Sequence, residues 1–195
     1  MVFVTALNVL LYRYAGATDI RVGTLTANRG QPGTDGLIGY FVNALILRTK
    51  LSPMMKCHEL LHEVRQVCLS AYAHQDVPFE HLESLLTQEY KRSSAPLYQV
   101  MLNYRGLSMA ARNSNGLTIA PWDGDNRAAD PGIAISRLDL NLHLRELPTR
   151  LTGAVNYKTD LFDDAEITKF LGGFSAILDQ MVTDANCRIS KIEWL

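Results

Sequence analysis

The sequence predicts a single domain of mixed strands and helices, of the α/β or the α+β class. Several segments repeat apolar residues at helical spacing, and several others are alternating or continuous apolar runs of strand length. The 195 residues suit one domain, since domains usually contain about 100–200 residues. We find no internal repeat and no low-complexity tract in the chain.

The predicted helices cover residues 1–15, 56–74, a short stretch after Pro78 and a long stretch after Asp163. The first should end at Gly16, and it begins in the middle of its apolar pattern. Such a start fits either a fragment of a longer chain or a native N-terminus with a frayed end. The last should be capped by Asp163 together with Glu166, because an acid at the N-cap and a glutamate three residues later form a capping box.

The predicted strands cover residues 19–26, 39–48, 97–105, 135–145 and 151–157. Residues 39–48 are apolar on both faces, which is typical of a central strand that is covered on both sides. Residues 135–145 and 151–157 should pair as a hairpin. Residues 106–134 are predicted to be a long irregular connection, and such connections are usually functional or cross between parts of a fold.

The composition limits the possible partners. A hydrophobic content of 47% and a charged content of 20% are typical of soluble globular proteins. A formal net charge of −1 provides no long-range field that would gather nucleic acid or an anionic membrane surface, so we expect neither as a partner. No apolar run approaches the roughly 20 residues that a membrane span requires.

The cysteines indicate a reducing compartment. Cys57, Cys68 and Cys187 are odd in number and match no C-x-x-C spacing. Cys57 and Cys68 should lie about 16 Å apart along one helix, which is too far for a disulfide. The N-terminus lacks the basic region and the cleavage site of a signal peptide. We therefore expect reduced thiols and a cytoplasmic location.

One short motif suggests a metal site. The residues from His58 to His62 read H-E-L-L-H, which matches the H-E-x-x-H pattern of zinc proteases. A continuation with a third histidine ligand is missing, and both histidines lie about 140° from the centre of the apolar stripe of their helix. Two solvent-facing histidines are therefore the preferred interpretation, and we expect no metal.

Polar side chains within apolar surroundings are the other candidates. Asn43 interrupts the apolar run 39–48, and the loop after the second helix carries His74 and Asp76. A buried polar group without a partner costs about 2–7 kcal/mol, so these groups should be hydrogen-bonded. For His74 and Asp76, ordering of the turn before Pro78 is favoured over a catalytic couple, because no nucleophile motif accompanies them.

Two further polar faces stay ambiguous. Asn103 lies on a predicted strand face with Gln99, and it either lines a polar cleft or lies at a solvated edge. The face formed by Arg137, Asp139, Asn141 and His143 is either a water-facing sheet surface or a wall of a site.

Two motifs resemble those of a known family. IGYFVNALILR at residues 38–48 is similar to the IGxFVNTxxLR motif of the condensation domains of nonribosomal peptide synthetases. HQDVPFE at residues 74–80 resembles the H-Q-D-x-P-F-E motif of the same family, at the expected distance after an intervening helix. The resemblance extends over essentially the whole chain.

The resemblance implies a chloramphenicol-acetyltransferase-like lobe, an α/β structure with a central mixed sheet flanked by helices. In the family, two lobes form a V around a tunnel that admits the phosphopantetheine arms of two carrier domains, and no cofactor is bound directly. The reaction forms an amide between a donor acyl or peptidyl thioester and an acceptor aminoacyl thioester. The catalytic residue is the second histidine of H-H-x-x-x-D-G, in the N-terminal lobe.

This chain contains no H-H-x-x-x-D-G sequence. By the resemblance, residues 1–195 would therefore be the C-terminal lobe without the N-terminal lobe, inactive by itself. Its expected partners are that N-terminal lobe and peptidyl or acyl carrier domains, and the exposed lobe interface could also support self-association.

The resemblance assigns residues to two groups and none to catalysis. The residues at the tunnel or lobe junction would be Gly39, Tyr40, Asn43, Asn103, Arg137 and Asp139. The residues of the structural motif that braces the junction would be His74, Gln75, Asp76, Pro78, Phe79 and Glu80. The 106–134 connection would cross onto the other lobe.

One motif departs from the family pattern. The family sequence R-D-x-S-R-N-P-L appears here as YKRSSAPL at residues 90–97, so the charges that the family places there are absent. This departure leaves open an alternative function, a non-catalytic lobe that docks carrier proteins or acts as a scaffold. A zinc hydrolase built on His58, Glu59 and His62 is a further, disfavoured alternative.

Overall fold

A mixed β-sheet forms the frame of the chain. The computed structural model describes residues 1–89, 96–106, 112–119, 138–147 and 149–193. The strands are β1 Asp19–Thr26, β2 Asn43–Lys50, β3 Val100–Arg105, β4 Arg112–Ser114, β5 Leu117–Ile119, β6 Leu140–Glu146 and β7 Leu151–Tyr157. Within the described residues, five of them form one sheet in the order β2-β1-β3-β6-β7. The pairs β1–β3 and β3–β6 are parallel, and the two outer pairs are antiparallel.

The helices lie close to their predicted positions. They are α1 Val2–Ala15, α2 Cys57–Ala73, α3 Phe79–Glu89 and α4 Asp164–Thr183, followed by a short 3-10 helix at Ile189–Lys191. Gly16 ends α1 in the left-handed conformation, with φ of 65°. The predicted capping box of α4 is confirmed, because Asp163 Oδ1 accepts from Glu166 N–H at 2.7 Å. None of the helices in the described ranges is long and apolar enough to cross a membrane.

The hydrophobic core lies between one face of the sheet and helices α1, α2 and α4. The predicted apolar stripes of α2 and α4 supply it, and alternate residues of the strands face them. Its most buried members include Val22, Leu47, Leu102, Leu140 and Leu142 from the sheet and Leu7, Leu10, Leu60, Val64 and Ile177 from the helices. The predicted mixed α/β class, with a mixed sheet and packed helices, is confirmed.

The prediction of a central strand at residues 39–48 is wrong. The strand begins at Asn43 and lies at the edge of the sheet, with β1 beside it. Most of the apolar residues before it are outside the strand and exposed, Ile38 at 105% and Tyr40 at 90%. A continuous apolar run indicates a surface that is buried against something. It does not show whether the burial is by another layer of the same fold or by another protein.

A short hairpin was not predicted from the sequence. Strands β4 and β5 pair antiparallel inside the segment 106–134, which we expected to be irregular. Asn115 and Gly116 connect them, and both have positive φ, 50° and 82°. An Asn-Gly pair with positive φ at both positions is the preferred connection of a two-residue hairpin, so the signal for this element was present in the sequence.

Candidate functional site

A cavity brings the two sequence motifs together. Its volume is about 190 Å³, and it lies beside the start of β2, where the loop after α2 crosses that end of the sheet. The segment before β2 contributes Tyr40, Phe41, Val42 and Asn43, and the loop contributes Asp76, Pro78, Phe79 and Glu80. Six of the residues predicted by resemblance therefore share one site, although the two motifs are separated by helix α2.

Asn43 connects these two segments through its side-chain amide. Its Nδ2 donates to the carbonyl oxygens of Gln75 at 2.8 Å and Val77 at 2.7 Å. Its Oδ1 accepts from the backbone N–H of Phe79 at 3.1 Å and of Ala44 at 3.0 Å. The side chain thus satisfies backbone groups of a loop that forms no regular structure of its own. This arrangement requires an amide, because only Asn or Gln offers both donors and an acceptor.

Gln75 attaches the same loop to the neighbouring strand. The hydroxyl of Thr26 donates to Gln75 Oε1 at 2.6 Å. Thr26 and Asn43 are directly opposite each other in the pairing of β1 with β2. Thr26 bonds the side chain of Gln75 and Asn43 bonds its carbonyl group, so this residue pair holds Gln75 from both sides. Gln75 is therefore part of the framework of the cavity and does not line it.

The contacts of His74 favour turn formation over catalysis. His74 is exposed, and its Nδ1 lies 2.8 Å from the carbonyl oxygen of Ser70, one turn earlier in α2. The backbone carbonyl of His74 also accepts from Val77 N–H at 3.2 Å. Asp76 is exposed at the edge of the cavity. His74 therefore contributes to the end of α2 through its ring and to the following turn through its carbonyl group.

Phe79 anchors the loop to an aromatic contact beside the sheet. Its ring lies edge-on to Tyr98, with 5.6 Å between the ring centroids. The ring of Tyr98 in turn covers Gly23 of β1 so closely that a Cβ on Gly23 would collide with it. Burial raises the pKa of Tyr98, and the nearby carboxylate of Glu83 adds to the shift. The small residue at position 23 thus makes room for the aromatic pair.

Arg29 orders the exposed segment before β2, and reasoning from the sequence did not single it out. Its guanidinium donates to the carbonyl oxygen of Leu37 at 3.0 Å and to that of Thr34. It also lies over the ring of Phe41, 4.3 Å from the centroid. In the sequence, Arg29 is marked only by its position in the segment before the motif at residues 38–48.

Other predicted site residues lie elsewhere on the sheet. Asn103 Nδ2 donates to Asn141 Oδ1 at 3.2 Å, and Asn141 is only 2% exposed. Asn103 Oδ1 is buried and has no hydrogen-bond partner among the described residues. Asp139 accepts from Lys158 Nζ at 2.6 Å. These residues lie at strands β3 and β6, away from the cavity, so the structure does not unite all the predicted positions.

The remaining predicted positions have varied placements. Gly39 is exposed and lies next to the ring of Phe41. The predicted residue Arg137 and most of the departing motif at residues 90–97 fall outside the described residues.

The H-E-x-x-H motif lies at the start of α2, and its two histidines face solvent as predicted. Glu59 Oε2 accepts from Lys56 N–H at 2.8 Å, which caps α2. His58 and His62 are both exposed, and His58 Nδ1 lies 3.1 Å from the carbonyl oxygen of Ala185. The described part of the chain contains no cluster of His, Cys, Asp and Glu that could hold a metal ion.

Comparison with known proteins identifies the family. The sequence model described as "Condensation domain" matches residues 1–195. The chain belongs to the condensation domain family. The family resemblance inferred from the two motifs is thereby confirmed. The cavity lies where the segments that carry these two motifs meet.

The curated relatives of this condensation-domain chain are synthetases. It is 37% identical over 192 residues to a linear gramicidin synthase protein of Brevibacillus parabrevis, covering 98% of this chain and 4% of that protein. It is 36% identical over 191 residues to chondramide synthase cmdD of Chondromyces crocatus, covering 98% of this chain and 5% of that protein. The chain therefore spans a small part of the relatives that it matches.

Solved structures have the same fold over the whole chain. The X-domain from teicoplanin biosynthesis is 26% identical with a TM-score of 0.77, and the match covers 100% of this chain and 43% of that one. A complex of the X-domain and OxyB from the same biosynthesis is 27% identical, with a TM-score of 0.75 and 42% of that chain covered. The starter condensation domain of rhizomide synthetase RzmA, at 18% identity, has a TM-score of 0.70, with 100% and 44% covered.

Proposed function

We propose that this chain is the C-terminal lobe of a condensation domain. The intact domain would form an amide bond between a carrier-bound donor thioester and a carrier-bound acceptor aminoacyl thioester. The lobe would supply one wall of the tunnel, and the N-terminal lobe would supply the catalytic histidine. Because the chain contains no H-H-x-x-x-D-G sequence, the lobe by itself would be inactive.

One observation carries the half-domain proposal. The matches to solved domains cover all of this chain, but they cover only 44% of the rhizomide starter condensation domain and 43% of the teicoplanin X-domain. A partial match of this size is expected if the chain corresponds to one lobe of a two-lobed domain. The missing H-H-x-x-x-D-G sequence, which the family carries in its N-terminal lobe, supports the C-terminal lobe.

The geometry supports a framework role for the cavity residues. Asn43 makes four hydrogen bonds to backbone groups, and three of them hold the loop after α2. Gly39 and Tyr40, which precede Asn43 in the chain, are exposed. We assign Asn43 and the motif residues 74–80 to bracing the lobe junction, and Gly39 and Tyr40 to contact across it.

We place the tunnel wall at strands β3 and β6, away from the cavity. The unpaired Oδ1 of Asn103 is buried beside Asn141, and a buried acceptor of this kind usually has a partner. We propose that it accepts a hydrogen bond from the amide of a carrier-bound substrate arm. Asp139 would belong to the same wall. The family resemblance adds Arg137, which lies outside the described residues.

The exposed apolar segment supports the N-terminal lobe as a partner. Leu37, Ile38 and Tyr40 are 56%, 105% and 90% exposed. Consecutive exposed apolar side chains are costly in water, and they are typical of a surface that another protein covers. In the isolated lobe, the same segment would promote self-association.

Reconstitution tests this proposal. The chain is combined with an N-terminal lobe that carries H-H-x-x-x-D-G, a donor thioester on one carrier domain and an acceptor thioester on another, and the amide product is measured by mass spectrometry. We expect product from the combination and none above background from either lobe. Turnover by this chain without the N-terminal lobe would contradict the proposal.

Two variants make the reconstitution specific to the assigned residues. Asn103→Leu should lower turnover by about tenfold or more, since one hydrogen bond to a neutral group contributes about 0.5–1.5 kcal/mol and a buried partner is also left unpaired. Asn186→Leu changes the same residue type at an exposed position and should leave turnover unchanged. Equal rates for the two variants would remove Asn103 from the tunnel wall.

A second candidate function is a docking lobe without chemistry. The teicoplanin X-domain, at 26% identity, has been solved in a complex with OxyB, so a domain of this fold binds a protein partner. The altered sequence YKRSSAPL supports the same alternative. A titration of this chain with carrier domains and with enzymes that act on carrier-bound peptides would distinguish it, because saturable binding without amide formation in the reconstitution favours docking.

A further inference from the structure

The segment after α4 returns to the start of α2 and pairs with it. Cys57 N–H donates to the carbonyl oxygen of Cys187 at 3.0 Å, and Ile189 N–H donates to that of Met55 at 3.0 Å. Between these bonds, Lys56 and Arg188 lie opposite each other as an antiparallel bridge. Two cysteines that are 130 positions apart in the sequence are therefore direct neighbours across this pairing.

The backbone hydrogen bond limits the distance between the two cysteines. The path from Cα of Cys57 through its N, across the 3.0 Å bond to the oxygen of Cys187 and on to its Cα cannot exceed about 6.9 Å. Opposed residues in antiparallel pairing usually have Cα atoms about 4.5–5.5 Å apart. Disulfides join Cα atoms about 4.4–6.8 Å apart, so the separation expected for this pairing falls within the disulfide range.

The two thiols differ in access. Cys57 is 2% exposed and belongs to the hydrophobic core, and Cys187 is half-buried and packs against the same core. Both are free thiols in this structure. Burial, together with the neighbouring Cys187, raises the pKa of Cys57 to about 11. Cys187 is therefore the thiol that a reagent in solvent reaches first.

We propose that Cys57 and Cys187 are a redox pair that forms a disulfide when the chain meets a small-molecule disulfide such as glutathione disulfide. The thiolate of Cys187 attacks the reagent, forms a mixed disulfide and releases one thiol. The thiolate of Cys57 then attacks the sulfur of Cys187 and releases the second thiol. Two protein thiols are oxidised and one reagent disulfide is reduced to two thiols, so the reaction is balanced.

The bond would fasten the end of the chain to helix α2. It would close a loop that contains β3, β6, β7 and α4, and so it would restrict the unfolded chain over most of its length. Cys68, the third cysteine, provides the comparison. It is buried on α2, eleven positions from Cys57 or about 16 Å along the helix axis. The folded chain should therefore exclude Cys68 from pairing with Cys57.

Oxidation of the folded chain tests the pairing. The reduced chain is incubated with glutathione disulfide near pH 8.5, where about half of the ordinary thiols are ionised, and samples are quenched with acid and alkylated. Intact mass should show an early glutathione adduct that converts to a species lacking two hydrogens. A non-reducing peptide map should join the peptides that contain Cys57 and Cys187.

Control variants and a denatured sample show whether the native fold directs the pairing of Cys57 with Cys187. Cys68→Ser should retain the product, and Cys187→Ser should abolish it. In guanidinium chloride, the short Cys57–Cys68 loop should close more readily than the long one. The same mixture of pairs in folded and denatured samples, or a glutathione adduct that never converts, would overturn the proposal.

A stability measurement provides a second readout. The oxidised chain should melt about 10 °C or more above the reduced chain, given the size of the closed loop. An oxidised product that melts at the temperature of the reduced chain or below it would show that the bond strains the fold and would contradict a native pair.

Discussion

Phe79 N–H donates to the side-chain oxygen of Asn43 at 3.1 Å, across 36 positions of sequence. This bond joins the first residue of helix α3 to the first residue of strand β2. The same Asn43 amide holds the carbonyl groups of Gln75 and Val77. One side chain therefore sets the position of an entire loop relative to the edge of the sheet.

Replacing this amide by a carboxylate should destabilise the fold. Asn43→Asp removes both N–H donors and places a charge beside two carbonyl oxygens, so we expect a loss of roughly 2–3 kcal/mol in the free energy of unfolding. Urea unfolding at neutral pH measures it. Asn186→Asp makes the same change at an exposed position and should cost less than about 0.5 kcal/mol. Equal losses would deny the bracing role of Asn43.

Adding a methyl group at Gly23 should disturb the contact between Phe79 and Tyr98. The new Cβ would collide with the Tyr98 ring, and the expected cost of Gly23→Ala is about 1–3 kcal/mol. Gly172→Ala is the matched control, because a Cβ there meets nothing within 4 Å on helix α4 and should stabilise the chain by about 0.5–1 kcal/mol. Thermal unfolding of the two variants should therefore shift in opposite directions.

Arg29→Lys should loosen the segment before β2. A lysine cannot bond both carbonyl groups and stack on Phe41 with one planar group. We expect limited proteolysis between residues 34 and 41 to become several-fold faster while the melting temperature changes little. Arg21→Lys, at an exposed position on β1, should leave the cleavage rate unchanged. A change in melting temperature without faster cleavage would contradict this role.

Glu59→Ala tests whether the H-E-x-x-H motif is a helix cap or a zinc site. Loss of the bond to Lys56 N–H should cost about 0.5–1 kcal/mol, and added zinc should not raise the melting temperature of either protein. Glu63→Ala, one turn later and exposed, should cost less. Stoichiometric zinc that is bound by the native chain and lost on His62→Ala would contradict the assignment of this motif to a helix start.

Alkaline pH should destabilise the reduced chain through Cys57. Burial, with smaller contributions from Cys187 and Asp184, raises the pKa of this thiol from 9.0 to about 11. As pH rises, the Cys57 thiol therefore loses its proton at a lower pH in the unfolded chain than in the folded chain. The contribution of the thiol to stability is complete below about pH 9, and it falls by about 1.4 kcal/mol per pH unit until about pH 11.

Cys57→Ala tests this dependence. The difference in the free energy of unfolding between the native chain and this variant should shrink from pH 8 to pH 10.5 in urea titrations under reducing conditions. A difference that does not change with pH would show that the buried thiol ionises equally in the folded and unfolded chains.

Much of the secondary structure could be predicted because it depends on local patterns. The helix that ends at Gly16, the strand at residues 19–26 and the capping box at Asp163 each have their signal within a few residues. Helical and strand periods act over the same distances, so a single sequence contains them. The Asn115-Gly116 hairpin belongs to this class as well, because its turn signal lies within two residues.

The candidate site was predictable only as a list of residues. The motifs at residues 38–48 and 74–80 identified the family, and they marked Asn43 and the loop as a unit. They did not show that Asn43 bonds the carbonyl of Gln75, or that Thr26 bonds its side chain. The role of Arg29 depends on a ring that lies twelve positions away in a segment without regular structure.

The sequence by itself determined most of the elements, the family and the need to satisfy one amide in an apolar stretch. Only the tertiary structure decided that β2 is an edge strand, that Ile38 and Tyr40 face outward, and that Cys57 meets Cys187. The physical reason is that strand order and contacts between distant segments are set by which surfaces pack together. A local pattern records that a surface is apolar or polar, but it does not record which distant segment lies against it.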